Sequence, residues 1–479
     1  MNTSLIHLAR VVAPGCMARS SLALALALSG VTAVAGDENW DSQFTETNSP
    51  DAWVAALAFN GTNPYVGGSF TNAGGVTANR IALWDGRQWT ALGSGVSAPV
   101  FAIAFQGTNV FVGGGFSSAG GVPNTSYIAR WDGQNWHALG AGMNGTVRAL
   151  AVSGTNLYAG GSFGNPGPRI ARWDGSAWSS LAGGVDAGAV YALAFAGTNL
   201  FIGGDFGTVN SGTGYNYVAR WNGATWSRLG YYGAYGVNNP VLAMTAIGSV
   251  VYFGGDFTRA GTSGVGYFAQ WDGSSWSGVG GGLDYWVTAL ANDGTNLYVG
   301  GMFTNAGPTN ASCIAKWNGT VWSPLGSALD GYPNVLAVLG KDLYVGGNST
   351  HAGGKLSRYF ARWSTAATLV APRLSVLLTV TNTLVVWWPQ PEADWNLEAT
   401  PTSPPPEARG RKSRRPTPPT RRVSTSSSQC QRATSSTGCT NHELMTLRIL
   451  AWNAAGQSAQ SRQRKFNFPK PNPKSRVWK

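Results

Sequence analysis

Apolar residues in this chain come in short runs broken by glycine-rich polar turns, and the runs have two textures. "VRALAVSG" (147–154) and "NLYAGGSF" (156–163) are almost continuously apolar and are joined by Gly-Thr-Asn, the texture of strands covered on both faces. "RIARW" (169–173) and "AWSSLAGG" (177–184) alternate apolar with polar positions and are joined by Asp-Gly, a strong two-residue hairpin signal. No segment carries the 3.6-residue period of an amphipathic helix. The pattern predicts units of four short antiparallel strands, and so an all-β protein.

The unit recurs. A double glycine stands at Gly67, Gly113, Gly160, Gly203, Gly254, Gly300 and Gly346, and a later tryptophan at Trp84, Trp131, Trp173, Trp221, Trp271, Trp317 and Trp363. These are seven copies at spacings of 42 to 51 residues, the range of propeller blades. A lone blade buries little, whereas blades arranged radially cover each other's faces and leave only short outer edges. Within a unit two tryptophans flank the last turn, as Trp131 and Trp136 do in "YIARWDGQNWHALGAG", with counterparts such as Trp84/Trp89 and Trp271/Trp276. Such broad plates suit the widening outer gap between blades, and small residues such as Ala149 and Ala151 the crowded centre. The seventh unit stops after "RYFARWSTAATLV" without its second tryptophan. "DENWDSQF" (37–44) sets Trp40 and Phe44 where other units carry the Trp and Leu of Trp-x-x-Leu-Gly. This segment is therefore expected to complete blade seven and close a seven-bladed β-propeller, removing its last open edge.

A double glycine after an apolar strand, then two aromatics around a tight turn, resembles the kelch family of propellers, to which galactose oxidase is structurally related; the resemblance covers residues 37–368. "YVGGSFTNAGG" and "IARWDG" are also similar to repeats in fungal cortical polarity-marker ectodomains and in exported bacterial proteins. Tryptophan stands here where kelch repeats carry their first tyrosine. The Trp-Asp dipeptide also occurs in WD40 repeats, but their Gly-His element is absent and a second Trp follows at plus five.

The 43% hydrophobic content of the 479 residues allows a large core, and 11% charged residues with 66 glycines fit turn-rich β structure. The formal charge of +12 is unevenly placed: residues 401–479 hold 16 of the 33 Lys and Arg and 2 of the 21 Asp and Glu, a formal +14, leaving −2 elsewhere. A nucleic-acid partner is therefore not expected for the propeller. At the N-terminus, Arg19 precedes "SLALALALSGVTAVA", which ends in Ala33-Val34-Ala35. Residues 1–35 thus read as an export signal, with Met17 an alternative start, and the product as a secreted or cell-surface protein. No later apolar run reaches about 18 residues, so a membrane-embedded chain is not expected. Cys313 is the only cysteine in the repeats, so no disulfide framework is expected.

Candidate chemistry is sparse. A galactose-oxidase-like copper site would need histidines that the repeats, with only His137 and His351, do not supply. No Walker loop, zinc cluster, His-Glu-x-x-His or nucleophile elbow occurs. Catalytic residues, metal ligands and cofactors are accordingly expected to be none. Asp205 and Asp256 follow the double glycines of units four and five, where neighbouring blades could offer them to a cation or a sugar hydroxyl. In a propeller the second-to-third-strand loops and the inter-blade loops share one face. Here that face carries Tyr215, Tyr217, Tyr231, Tyr232, Tyr235, Tyr285, Trp286 and Tyr332, an aromatic set suited to stacking on sugars or to protein hot spots, or to shielding the blade tops. The expectation is a monomeric, non-enzymatic binding or scaffold propeller for an extracellular protein or glycan. The rival readings are a carbohydrate oxidase or lyase and a purely structural surface repeat.

Residues 369–406 begin a small β module, and 407–479 read as a disordered basic tail. Taking the last base of each codon with the first two of the next, Glu407–Thr417 can read "GPWTEIPPPY" and Gln429–Glu443 "VPAGNKFYRLHQP" followed by a stop. Two such agreeing stretches point to out-of-frame translation from near Pro406.

Overall fold

The double glycines set the geometry of every blade. The computed structural model describes residues 36–364 except Tyr232, together with the backbone of five strands between 375 and 466. In the first blade the strands Val54–Asn60, Asn63–Gly68, Ile81–Trp84 and Trp89–Ala91 pair antiparallel in chain order. Five further four-stranded sheets repeat this arrangement, ending with Val287–Asn292, Leu297–Gly301, Ile314–Trp317 and Trp322–Pro324. The seventh has three strands, Pro333–Leu339, Asp342–Gly347 and Phe360–Ser364, and is completed from the N-terminus by an antiparallel bridge between Trp40 and Trp363. The first strand of each blade touches the first strands of its neighbours, and that of blade seven touches that of blade one. The protein is an all-β, seven-bladed β-propeller closed by its N-terminal segment.

The first strand of every blade begins with a bulge. Val54 faces Gly68 and Ala56 faces Gly67, so Ala55 is the extra residue; the same shift isolates Phe101, Arg148, Tyr191, Leu242, Thr288 and Asn334 in the other six. The paired glycines opposite have separate duties. The first meets the next blade: a Cβ on Gly113 would lie 2.5 Å from Val147 Cγ1. The second lets the chain entering the first strand pass close by, since a Cβ there would collide with a backbone carbonyl oxygen, that of Trp53 at Gly68 and of Trp286 at Gly301. A side chain at either place would push apart the blades or the bulge.

Farther out, tryptophans join the blades. Trp131 faces Trp136 across the last hairpin with ring centroids 5.3 Å apart, and the other complete blades repeat the pair. The second indole also reaches across the seam, Trp136 Nε1 donating to the Leu92 carbonyl of the preceding blade at 3.0 Å and Trp178 Nε1 to that of Leu139. Trp40 does the same from the N-terminal segment, donating to the Leu325 carbonyl at 2.9 Å. The expected plates between blades are present, and the second indole of each pair has its N–H bonded, whereas the first-position indoles of Trp271 and Trp363 are buried without a hydrogen-bond partner.

Seven non-glycine residues hold a left-handed backbone just before the third strand: Arg80, Tyr127, Arg169, Tyr217, Tyr267, Cys313 and Tyr359, with φ between 62° and 71°. Each carbonyl there accepts from the second glycine of its blade, as Tyr217 O does from Gly204 N at 3.1 Å. Each N–H donates back across the loop, that of Tyr217 to Phe206 O at 2.7 Å. This conformation is uncommon for non-glycine residues, and here two backbone hydrogen bonds fix it in each blade.

Residues 369–479 belong to a second unit. Ser375–Leu378, Leu384–Trp388 and Arg462–Phe466 form one small sheet, and Asp394–Pro401 pairs with Met445–Trp452. Two of these strands fall within 407–479, read from sequence as a disordered tail; residues 402–444, which contain most of the stretches read as a frame change, lie outside the described residues, as do residues 1–35, read from sequence as an export signal.

Candidate functional site

A cavity of 530 Å³ opens where the seven bulges converge. All seven bulged residues, Ala55, Phe101, Arg148, Tyr191, Leu242, Thr288 and Asn334, line it, one from each blade, with Trp53, Tyr332 and Asn348 from the adjoining loops. The cavity is thus the mouth of the central channel, on the face of the inter-blade and second-to-third-strand loops. A bulge turns one side chain out of the strand's alternation. Here it turns seven toward a common axis.

One wall is a continuous stack. The Trp53 indole lies parallel to Phe101, with centroids 6.1 Å apart and planes at 13°. The Arg148 guanidinium sits over Phe101 at 5.6 Å and over Tyr191 at 5.3 Å. Tyr191 Oη donates to Asp205 Oδ2 at 2.7 Å, and the Ala189 N–H donates to the other Asp205 oxygen. Desolvation and the Asp205 hydrogen bond push the Tyr191 phenol up to about 12, so it stays a neutral donor. The opposite wall is amide and hydroxyl. Asn334 Nδ2 donates to Val54 O at 3.1 Å and lies 3.4 Å from Asn348 Oδ1, while Thr288 Oγ1 donates to Pro333 O. Among the lining side chains Arg148 carries the only formal charge, and there is no carboxylate, imidazole or thiol.

The rim is anchored by a repeated device. Asp51 Oδ1 accepts the N–H groups of Thr71 and Asn72 at 2.8 and 3.1 Å, and Asp284 and Asp330 serve Thr304/Asn305 and Thr350/His351 in the same way. Asn144 and Asn238 do so with amide oxygens. Desolvation pushes the Asp284 and Asp330 carboxyls up, but the hydroxyls of Thr304 and Thr350, together with these N–H groups, outweigh it and bring both down to about 2. Trp53, Trp286 and Tyr332 each lie two residues beyond such an anchor, which holds these aromatics on fixed backbone.

The residues singled out from sequence fall into three groups. Tyr332 lines the cavity, and Asp205 stands behind it through Tyr191. Tyr231, 64% exposed on the ribbon Gly230–Tyr231/Ala234–Tyr235, and Tyr285, 44% exposed and stacked 5.4 Å from Trp286, present aromatic surface on the rim. The remainder serve the blades. Tyr215 is only 8% exposed and shares Arg228 with Tyr235, at 5.4 and 5.3 Å; Tyr217 occupies the left-handed position and packs against the core of blade five. Tyr215 is thus a buried core residue and not the exposed loop aromatic its sequence context suggested, because its ring packs into the core of blade four. Desolvation raises the Asp256 carboxyl, against the opposing effect of the Trp286 indole. Tyr232 lies outside the described residues. Among the described residues no three His, Cys, Asp or Glu are placed together to hold a metal. His137 and His351 are exposed and bonded to Asp132 and Asp330. Cys313 is half-buried, with its thiol pushed up by desolvation.

Trp53, Phe101, Arg148 and Asn334 were not anticipated, although a signal exists. The first strands open Val-x-Ala or, in blade seven, Pro-x-Val, and x is Ala, Phe, Arg, Tyr, Leu, Thr or Asn. A position that takes any chemistry inside the most regular element of a repeat is one the fold does not determine.

No family model matches the chain, and no curated protein matches it. Among solved structures, the computationally designed Ika8 protein is 17% identical over 67% of this chain and 99% of its own, with a TM-score of 0.37. The WD40 propeller domain of Doa1 is 11% identical over 67% of this chain and 95% of its own, at 0.40. YCF48 from Cyanidioschyzon merolae is 12% identical over 69% of this chain and 99% of its own, at 0.43. Of the three, the Doa1 domain is described as a WD40 propeller, and none is described as a kelch protein.

Proposed function

We propose that this chain is an exported, non-enzymatic binding propeller of kelch-like repeat type whose ligand, a glycan or a protein segment at the cell surface, seats in the mouth of the central channel. The observation that carries this reading is the convergence of seven bulged residues of unrelated chemistry on one cavity while the rest of each blade repeats. A volume of 530 Å³ lies within the range of small-ligand pockets. The stacked aromatics offer apolar contact at low entropic cost. The propeller acts as a monomer, without cofactor or nucleic acid.

The reading is tested on a glycan array and by pull-down from cell-surface extract. Trp53→Ala is expected to weaken capture by at least about tenfold, the scale of a binding hot spot, while Tyr231→Ser on the rim leaves it within about twofold. Loss on Tyr231→Ser with Trp53→Ala unchanged moves the site to the loops, and turnover of a captured sugar replaces binding with catalysis.

A further inference from the structure

Arg148 is the one charged side chain in the cavity wall, and its arrangement specifies a missing partner. Its guanidinium is held over Phe101 at 5.6 Å and Tyr191 at 5.3 Å. Ring contacts of this kind hold the cation by its charge and supply no oxygen acceptor for its five N–H donors. Among the described residues no carboxylate lies within 4.0 Å of it and no hydrogen bond is made by it, although it is exposed at the cavity. Asp205, the nearby acid behind Tyr191, is already held by the Tyr191 hydroxyl and the Ala189 N–H. Arg148 therefore offers the cavity, otherwise neutral in its lining, a guanidinium whose donors can fork onto a planar bidentate acceptor.

The neighbours of that fork narrow the acceptor further. Half-buried Trp53 heads the stack and offers an apolar plate one ring, that of Phe101, away from the charge. Across the cavity Thr288, Asn334 and Asn348 offer hydroxyl and amide groups. Apolar plate, anion fork and amide wall match, in order, the C–H face, the carboxylate and the hydroxyls of one acidic sugar ring. We infer that the channel mouth binds a uronic-acid residue of an acidic polysaccharide, with its carboxylate on Arg148 and its ring against Trp53. This rests on the channel mouth being the ligand seat, and it commits that seat to an anionic saccharide. A peptide C-terminus shares the carboxylate but not the ring of hydroxyls that the amide wall would serve.

The full-length chain is titrated calorimetrically with short galacturonate, mannuronate and glucuronate oligosaccharides, with their carboxyl-reduced counterparts, and with a peptide bearing a free C-terminal carboxylate. At least one uronate should bind. Losing a charge-assisted hydrogen-bond pair from the exposed Arg148→Gln site should weaken that binding about 10- to 100-fold with the melting temperature unchanged. Arg148→Lys, a point charge without the fork, recovers part of it. Carboxyl-reduced sugars should bind wild type no better than uronates bind Arg148→Gln. The 16 basic residues of 401–479 give a background that falls steeply with salt and ignores Arg148. Equal binding of reduced and acidic sugars, abolished by Trp53→Ala, would overturn the uronate assignment and leave the channel-mouth seat standing. Peptide binding in place of sugar would overturn the saccharide class. Absence of binding by every uronate, or uronate binding indifferent to Arg148, would overturn the proposal outright.

Discussion

A chain lacking residues 36–45 melts at least about 10 °C below the intact protein, because the seventh blade loses its outer strand and the ring its closure. Trp40 is 1% exposed and Phe44 fully buried; Phe44 meets Phe360 at 4.7 Å and Trp84 at 5.4 Å, bridging blades seven and one. Truncating one such buried aromatic costs about 3–5 kcal/mol, and the deletion removes both. Polar contacts are lost as well. Asp37 Oδ1 accepts from the Ser327 N–H at 2.6 Å and hydroxyl at 2.9 Å, Asp41 pairs with Arg362 at 2.6 Å, and Lys355 donates to the Trp40 carbonyl. With the segment gone, Phe360–Ser364 becomes an open edge, so the truncated protein should also associate at concentrations where the intact one does not. Trp40→Ala alone should account for about half the loss, and Ser42→Ala, at an exposed position of the same segment, for almost none. An unchanged melting temperature after the deletion would show that the ring holds without its N-terminal strand.

Gly204→Ala is the second large effect. A Cβ at Gly204 would run into the Ala189 carbonyl, which is backbone entering the first strand of blade four and cannot rotate away. Relief requires moving that strand outward and undoing the bulge at Tyr191, at a cost of about 3 kcal/mol, the upper end for overpacking. Gly197→Ala separates this from ordinary backbone strain: Gly197 has φ of +60° and nothing within 4 Å of a Cβ, so it should cost about 1 kcal/mol. Urea denaturation midpoints give both values. Equal costs at the two positions would mean that the close approach at the double glycine does not hold the bulge.

The blade count, the strand order, the Trp131/Trp136 type of pair and closure by Trp40 are all legible in the sequence. They depend on spacing, side-chain size and turn chemistry, which a linear pattern carries. The candidate site is less so, for a physical reason. The bulge arises from backbone passing close over the second glycine, and it shifts the register by one residue, so counting alternate positions along "VRALAVSG" would assign Arg148 to a blade face and not to the channel. Tyr217 shows the reverse case. It sits in an aromatic loop, yet its left-handed backbone bonds to Gly204 and Phe206 and its ring packs on blade five. The identity of an aromatic residue says little about where its backbone aims it.

Where a bound ligand slows amide exchange decides between the channel mouth and the aromatic rim. With the array-selected oligosaccharide on the full-length chain, hydrogen exchange should slow at the entries to the first strands, around residues 53–56, 100–102, 147–149 and 190–192, and remain unchanged across 230–235 on the rim. Those four entries are far apart in sequence and each places its bulged residue in the wall of the channel mouth. Protection confined to 230–235 and 284–286, with the strand entries unaffected, would place the ligand on the aromatic rim and contradict the account.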